Sequence, residues 1–140
     1  MSITSQLNLL INLLIDQHFV YKFFHWNFEG EDFYSYHQLF DKHAKNILES
    51  QDAIAEQLRT FQFKVIIEPD LTPLKDIDTN QKNLHSILTL IITQHNEIIQ
   101  EINEIVKLAN FSEDFVTADL LTDYLEQQQT MLWIIQSSNK

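Results

Sequence analysis

Residues 25–58 read HWNFEGEDFYSYHQLFDKHAKNILESQDAIAEQL, and this stretch decides the fold. It breaks once, at Gly30, the only glycine of the chain, and then runs on without a turn-former. Phe33, Phe40, Ala44, Ile47, Ile54 and Leu58 recur at spacings built from threes and fours, the period of an amphipathic helix. Asp32 stands just before them, where a carboxylate can accept from the free N–H groups of a first turn. The helix expected from about Phe33 to Phe61 would be roughly 40 Å long.

Working outward, three more segments share this period. The first carries Leu7, Leu10, Ile11, Leu14, His18, Tyr21 and His25 on one stripe. The third carries Leu84, Leu88, Ile91, His95, Ile98, Ile102 and Ile105. The fourth, over roughly Glu113 to Gln136, carries Val116, Leu120, Tyr124, Met131 and Ile135. Asp78 with Gln81 reads as a capping box for the third helix, and Ser112 as the cap of the fourth, with Glu113 and Asp114 in its first turn. Gln62 to Ile77 holds both prolines, and Thr72-Pro73 can start a short helix inside it. Sixteen extended residues reach about 55 Å, enough to return along the whole bundle. The loop order is short, long, short, so the second and third helices run parallel through one crossover. The expectation is an all-α four-helix bundle, one domain over residues 1–140.

Composition narrows the function classes. One Gly and two Pro are too few for a many-stranded β fold. Without Cys there is no disulfide, zinc-finger or iron–sulfur chemistry. No apolar run approaches a membrane span, and the first fifteen residues lack the charges of a signal peptide, so a cytoplasmic protein is expected. A net charge of −11, with Lys and Arg scattered, argues against DNA as a partner.

The second helix also carries a second stripe. With His37 at zero and about 100° per residue, Asp41 falls near 40°, Asp52 near 60° and Glu56 near 100°, while the apolar stripe centres near 295°. A solvated polar face is the bland reading, but this face also holds Leu48 and Ala55. His37 and Asp52 lie fifteen residues apart, about 22 Å along a helix, so one metal ion cannot bridge them. An antiparallel copy can: a two-fold axis near Asn46 and Ile47 puts His37 and Asp41 of one chain opposite Asp52 and Glu56 of the other. An intrasubunit di-iron site would need Glu-x-x-His on two helices, and the chain contains none. Carboxylates with sparse imidazole and no sulfur suit Fe(II) or Mn(II).

His25-Trp26-x-x-x-Gly30-x-x-Phe33, then His37 twelve residues after His25, then Asp52-x-x-Ala55-Glu56 resembles the ferroxidase signature of the Dps family, the mini-ferritins of the ferritin-like class. Thr117 to Thr122 and Leu132-Trp133 resemble that family's last helix. The resemblance implies a twelve-subunit shell that oxidises Fe(II), preferably with hydrogen peroxide rather than dioxygen, stores ferric mineral inside, and so limits oxidative damage. It implies that Asp52 and Glu56 of one subunit and His25 of another hold the tighter iron, with His37 and Asp41 beside a weaker iron or a water. It implies Trp26 as an electron donor and Asp119 as a lining residue of the iron-entry pore. Many members of the family bind and compact DNA through a Lys-rich tail. Residues 1–15 here are uncharged and only Lys140 ends the chain, so the nucleoid-compacting role, with iron chemistry secondary, is the weaker alternative.

The other conspicuous residues take blander readings. His18 and His95 are expected as hydrogen-bonded core histidines, and His43 and His85 as surface groups. Phe23, Phe24, Phe61 and Trp133 are expected to pack in the bundle or between subunits.

Overall fold

Each apolar stripe becomes the inward face of a helix. The computed structural model describes residues 1–139, so Lys140 lies outside the described residues. It contains α1 (Ile3–Asn27), α2 (Phe33–Thr60), α3 (Leu84–Phe111) and α4 (Phe115–Ser138). α1 packs chiefly on α2 and α3 on α4, with α1 against α3 closing the bundle. Leu7, Leu10, Leu14, Phe24, Phe40, Ile47, Ile54, Ile91, Ile102 and Ile135 are among the buried core. Burying a side chain of this size contributes about 1.5–3 kcal/mol, which offsets the ordering entropy of long helices with few tertiary hydrogen bonds.

The crossover is held by side chains rather than by a core of its own. Asn8, Asn12 and Asp16 stand one turn apart along α1. Asn8 Oδ1 accepts from the N–H of Ile66 at 2.9 Å, Asn12 Oδ1 from Glu68 at 2.6 Å, and Asp16 Oδ1 from Asp70 at 2.8 Å. Asn12 Nδ2 also donates to the carbonyl of Ile66 at 2.8 Å. Thr72–Leu74 then forms the expected short helix, a single 3-10 turn.

Three expected caps fall elsewhere. Asp78 does not cap α3: Asn80 caps a 3-10 turn, Gln81–Asn83, that leads into it. Gln81 turns away to grip the α1–α2 loop, where its side chain pairs with both the N–H and the carboxylate of Asp32. Asp32 therefore sits at the start of α2 without a capping bond of its own. Ser112 ends α3, and Asp114 caps α4 by accepting from Thr117 N–H at 3.2 Å. Val116, expected on the core stripe of the fourth helix, is exposed because that stripe begins at Thr117 and Ala118. Phe33 likewise stays partly exposed, against His37 rather than in the core.

Candidate metal centre

The five-residue turn between α1 and α2 folds the last turn of one helix against the first turn of the other. Gly30 makes this possible: its φ of 145° suits glycine alone, and an added Cβ would lie 2.3 Å from Cβ of Gln81. His25 and His37 meet there as stacked rings, 3.9 Å between centroids and 15° between planes. His25 Nδ1 donates to the carbonyl of His37 at 2.7 Å, and His37 Nδ1 donates to the carbonyl of His25 at 2.6 Å. A carbonyl can only accept, so both rings carry their proton on Nδ1 in the neutral form. Each Nε2 is left with a free lone pair, the form a metal ion requires.

Asp41, one turn beyond His37, is already occupied by cations. Lys22 Nζ lies 2.9 Å from Oδ1 and Lys45 Nζ 3.0 Å from Oδ2. Hydrogen bonds from Lys22 and then Lys45 hold the Asp41 carboxyl down at about 2. His25 Nε2 is 3.8 Å from the same carboxylate. Trp26, 61% exposed, carries the Lys22 ammonium over its ring at 5.8 Å from the centroid.

Asp52 and Glu56 stand apart from this group, further along α2 and exposed. Eleven residues from Asp41 to Asp52 span about 16 Å of helix. Asp52 lines a groove of about 630 Å³ with Ile11, Ile15, Leu48, Ala55 and Ile67. Leu48 is 51% exposed and Ile67 66%, so an apolar strip flanks the carboxylates on a single chain. Among the described residues no three His, Asp or Glu side chains converge on one metal position. One chain therefore sets His25 against His37 on one side and Asp41 on the other, without a common metal position, and leaves Asp52 and Glu56 elsewhere. The donor chemistry suits Fe(II): two imidazole lone pairs, carboxylates and no thiolate.

Asp119 is exposed on α4 and lines a wide depression of about 720 Å³ with Phe115, Val116 and Asp123. Glu113 lies in the turn before α4, at a φ of 58°.

The sequence reading missed several residues. Lys45 was visible as the i, i+4 partner of Asp41, whereas Lys22 reaches Asp41 only through the packing of α1 on α2. His43 is not a surface group but a buried one. It falls near 240° on the wheel used above, at the edge of the apolar stripe, so the period places it towards the inside. His95 is buried and His18 half-buried, both hydrogen-bonded as expected, His18 to the carbonyl of Ala44 at 3.1 Å. His85 is exposed as expected. Phe24 is buried, Phe23 is half-buried against the core, and Phe61 and Trp133 remain exposed on the single chain.

Four helices with a long second connection define a ferritin-like bundle. The chain belongs to the ferritin-like domain family, which it matches over residues 4–138. Within that family its likenesses run to Dps proteins. A low temperature-induced protein of Nostoc sp. is 28% identical over 139 residues, covering 94% of this chain and 78% of that one. The DNA protection during starvation protein of Agrobacterium fabrum is 26% identical over 135 residues, covering 94% and 83%. Dps from Thermosynechococcus elongatus superposes with a TM-score of 0.86 at 20% identity, over 99% of this chain and 90% of that one. Among the described residues no helix is long and apolar enough to cross a membrane.

Proposed function

We propose that this chain is a ferroxidase and iron-storage mini-ferritin that oxidises Fe(II) with hydrogen peroxide in a shell of about twelve copies. One observation carries the reading. The histidine end of the α2 stripe and its carboxylate end are too far apart to meet within a chain, and an apolar strip flanks the carboxylates. The midpoints of His37–Glu56 and of Asp41–Asp52 coincide between Asn46 and Ile47, so one two-fold axis pairs both at once. In such a dimer Asp52 and Glu56 hold Fe(II) against Nε2 of His25 from a second copy. Carboxylates favour Fe(III) over Fe(II), so they lower the cost of losing an electron as well as binding the ion. Asp41, neutralised by Lys22 and Lys45, adds little negative charge, which supports one tight iron per site rather than two. Trp26 flanks the site as an electron donor. Asp119, in the depression on α4, supplies negative potential along the route by which Fe(II) enters.

Co-refolding tests the shared site. His25→Ala and Asp52→Ala are each expected to be inactive as homo-oligomers. In a mixed dimer one interface inherits both lesions and the other neither, so partial Fe(II) oxidation returns. If the mixture stays dead while both variants assemble, the ligands belong to one chain and the interface site is wrong.

A further inference from the structure

The crossover separates two grooves. Val65 and Ile67 line the one that holds Asp52, whereas Glu68 and Asp70 line a second, between the crossover, α1 and α3. The iron reading makes no use of this second cavity, which measures about 290 Å³. Leu13, Pro73 and the buried Ile98 give it apolar walls. Four carboxylates surround it: Asp16 from α1, Glu68 and Asp70 from the crossover, and Glu97 from α3.

Among the described residues none of these four carboxylates has a Lys, Arg or His within ion-pair distance. Asp16 Oδ1 accepts from the N–H of Asp70 at 2.8 Å, a bond that holds the two acids side by side. Burial pushes the Asp16 carboxyl above its ordinary value against the pull of that N–H, and the like charges of Asp70 and Glu97 add to the rise. A second group points the same way. Gln94 also lines the cavity, and its Oε1 is shielded from solvent without a hydrogen-bond donor. A shielded acceptor with no donor is costly. The cavity therefore lacks both positive charge and N–H donors.

The missing charge has to be spread out. Among the described residues no three carboxylates converge on one metal position, and a hydrated divalent ion gains nothing from Leu13, Pro73 and Ile98. Glu68 and Asp70, two apart on an extended chain, repeat at about 6.6 Å. Ammonium groups joined by three or four methylenes lie about 5–6 Å apart at ordinary bond lengths. The methylenes between them suit apolar walls, as the stem of a lysine does. A cavity of this size, apolar with a few polar groups converging on it, also fits a small molecule better than a protein segment. We propose that the cavity between α1, α3 and the crossover binds an aliphatic polyamine, its ammonium groups on Asp16, Glu97 and the Glu68–Asp70 edge and its methylenes against Leu13 and Ile98. The proposal is independent of the iron chemistry. A polyamine bound there ties the crossover to two helices at once, so it stabilises the folded chain.

Calorimetric titration of the iron-free protein with spermidine at physiological salt tests this. The expected result is saturable binding, one spermidine to a chain, with a raised melting temperature. Glu97→Gln and Asp16→Asn should each weaken binding about tenfold, the loss of one hydrogen bond to a charged group. Asp119→Asn, in the depression on α4, should leave it unchanged. Glu97 is exposed, so its substitution spares the core, and it decides alone if Asp16→Asn fails to fold. Hexaamminecobalt(III) carries the same three charges without methylenes, and magnesium is a point charge. Both should bind this cavity more weakly than spermidine. No saturable binding overturns the proposal, as does affinity unchanged in Glu97→Gln. If either inorganic ion displaces spermidine at equal concentration, the cavity reads charge alone and the proposal fails as well.

Discussion

His25 and His37 hold each other's tautomer: each donates its Nδ1 proton to the other's backbone carbonyl, across rings stacked at 3.9 Å. The acceptors are main-chain carbonyls, which survive a substitution at either residue; what a substitution removes is the stacked ring that fixes the other's orientation. His37→Ala removes the ring on which His25 is stacked and the N–H that its carbonyl accepts. We expect Co(II) affinity at the site to fall about 10- to 100-fold, the usual cost of losing a partner that orients a ligand. Anaerobic titration of the assembled protein measures it, and an unchanged affinity would show that His25 is oriented by other means.

Asp52→Ala and Glu56→Ala should each slow Fe(II) oxidation about 100-fold or more, the lower range for an electrostatic group acting on a developing charge. Both residues are exposed on the single chain, so neither substitution touches the core. Stopped-flow absorbance reports the rate, and light scattering should show the same mass as the parent.

Asn12 makes hydrogen bonds to two crossover groups, the N–H of Glu68 and the carbonyl of Ile66. Asn12→Ala strands both partners where helix and crossover pack, and should cost about 1–3 kcal/mol. Urea unfolding at constant slope would check this; a loss well under 1 kcal/mol would mean that water replaces the side chain without penalty.

The buried His95 and His43, both held down at about 4 chiefly by burial, set a pH dependence, of which His95 is one part. Its folded-state value, held down at about 4 by burial, lies below the ordinary 6.5. Between those values the unfolded chain binds the extra proton, so stability is full above about 6.5 and falls as the pH drops towards about 4. His95→Gln should flatten the fall in melting temperature between pH 7 and pH 5. An identical slope in the variant would place the titration elsewhere.

Direct retention of DNA should be weak at physiological salt. The chain carries −11, and its nine Lys and Arg form no cluster in the sequence. Gel shift without divalent cations decides it, since divalent ions can bridge two anions. A clear salt-sensitive shift would reveal a basic surface assembled between copies.

The helices and their order were legible because apolar period and loop length are local properties, and the stripe of His37, Asp41, Asp52 and Glu56 was legible for the same reason. Caps were less so. Gln81 has the residue type of a capping box, but it serves the α1–α2 loop, a choice made by the packing of the crossover. Lys22 and Asp41 lie nineteen residues apart, and nothing in their spacing announces the ion pair. His43 departs from expectation for a different reason: its polarity favours the surface, but its place on the wheel adjoins the core, and a buried imidazole with a phenol to bond costs little.

The three rungs along α1 follow a rule of commensurate lengths. Asn8, Asn12 and Asp16 advance by four residues each, about 6.0 Å per step on a helix. Ile66, Glu68 and Asp70 advance by two, about 6.6 Å per step in an extended chain. The two rulers drift apart by about 0.6 Å per rung, so the match survives a few rungs and no more. The chain leaves the ruler after Asp70 and coils at Thr72–Leu74. Deleting one residue between Gln62 and Val65 would carry the wrong backbone parity onto the rungs, whereas deleting two preserves it. The strand-like half of this ruler thus counts in pairs, a rule that crossover variants of different length would obey or break.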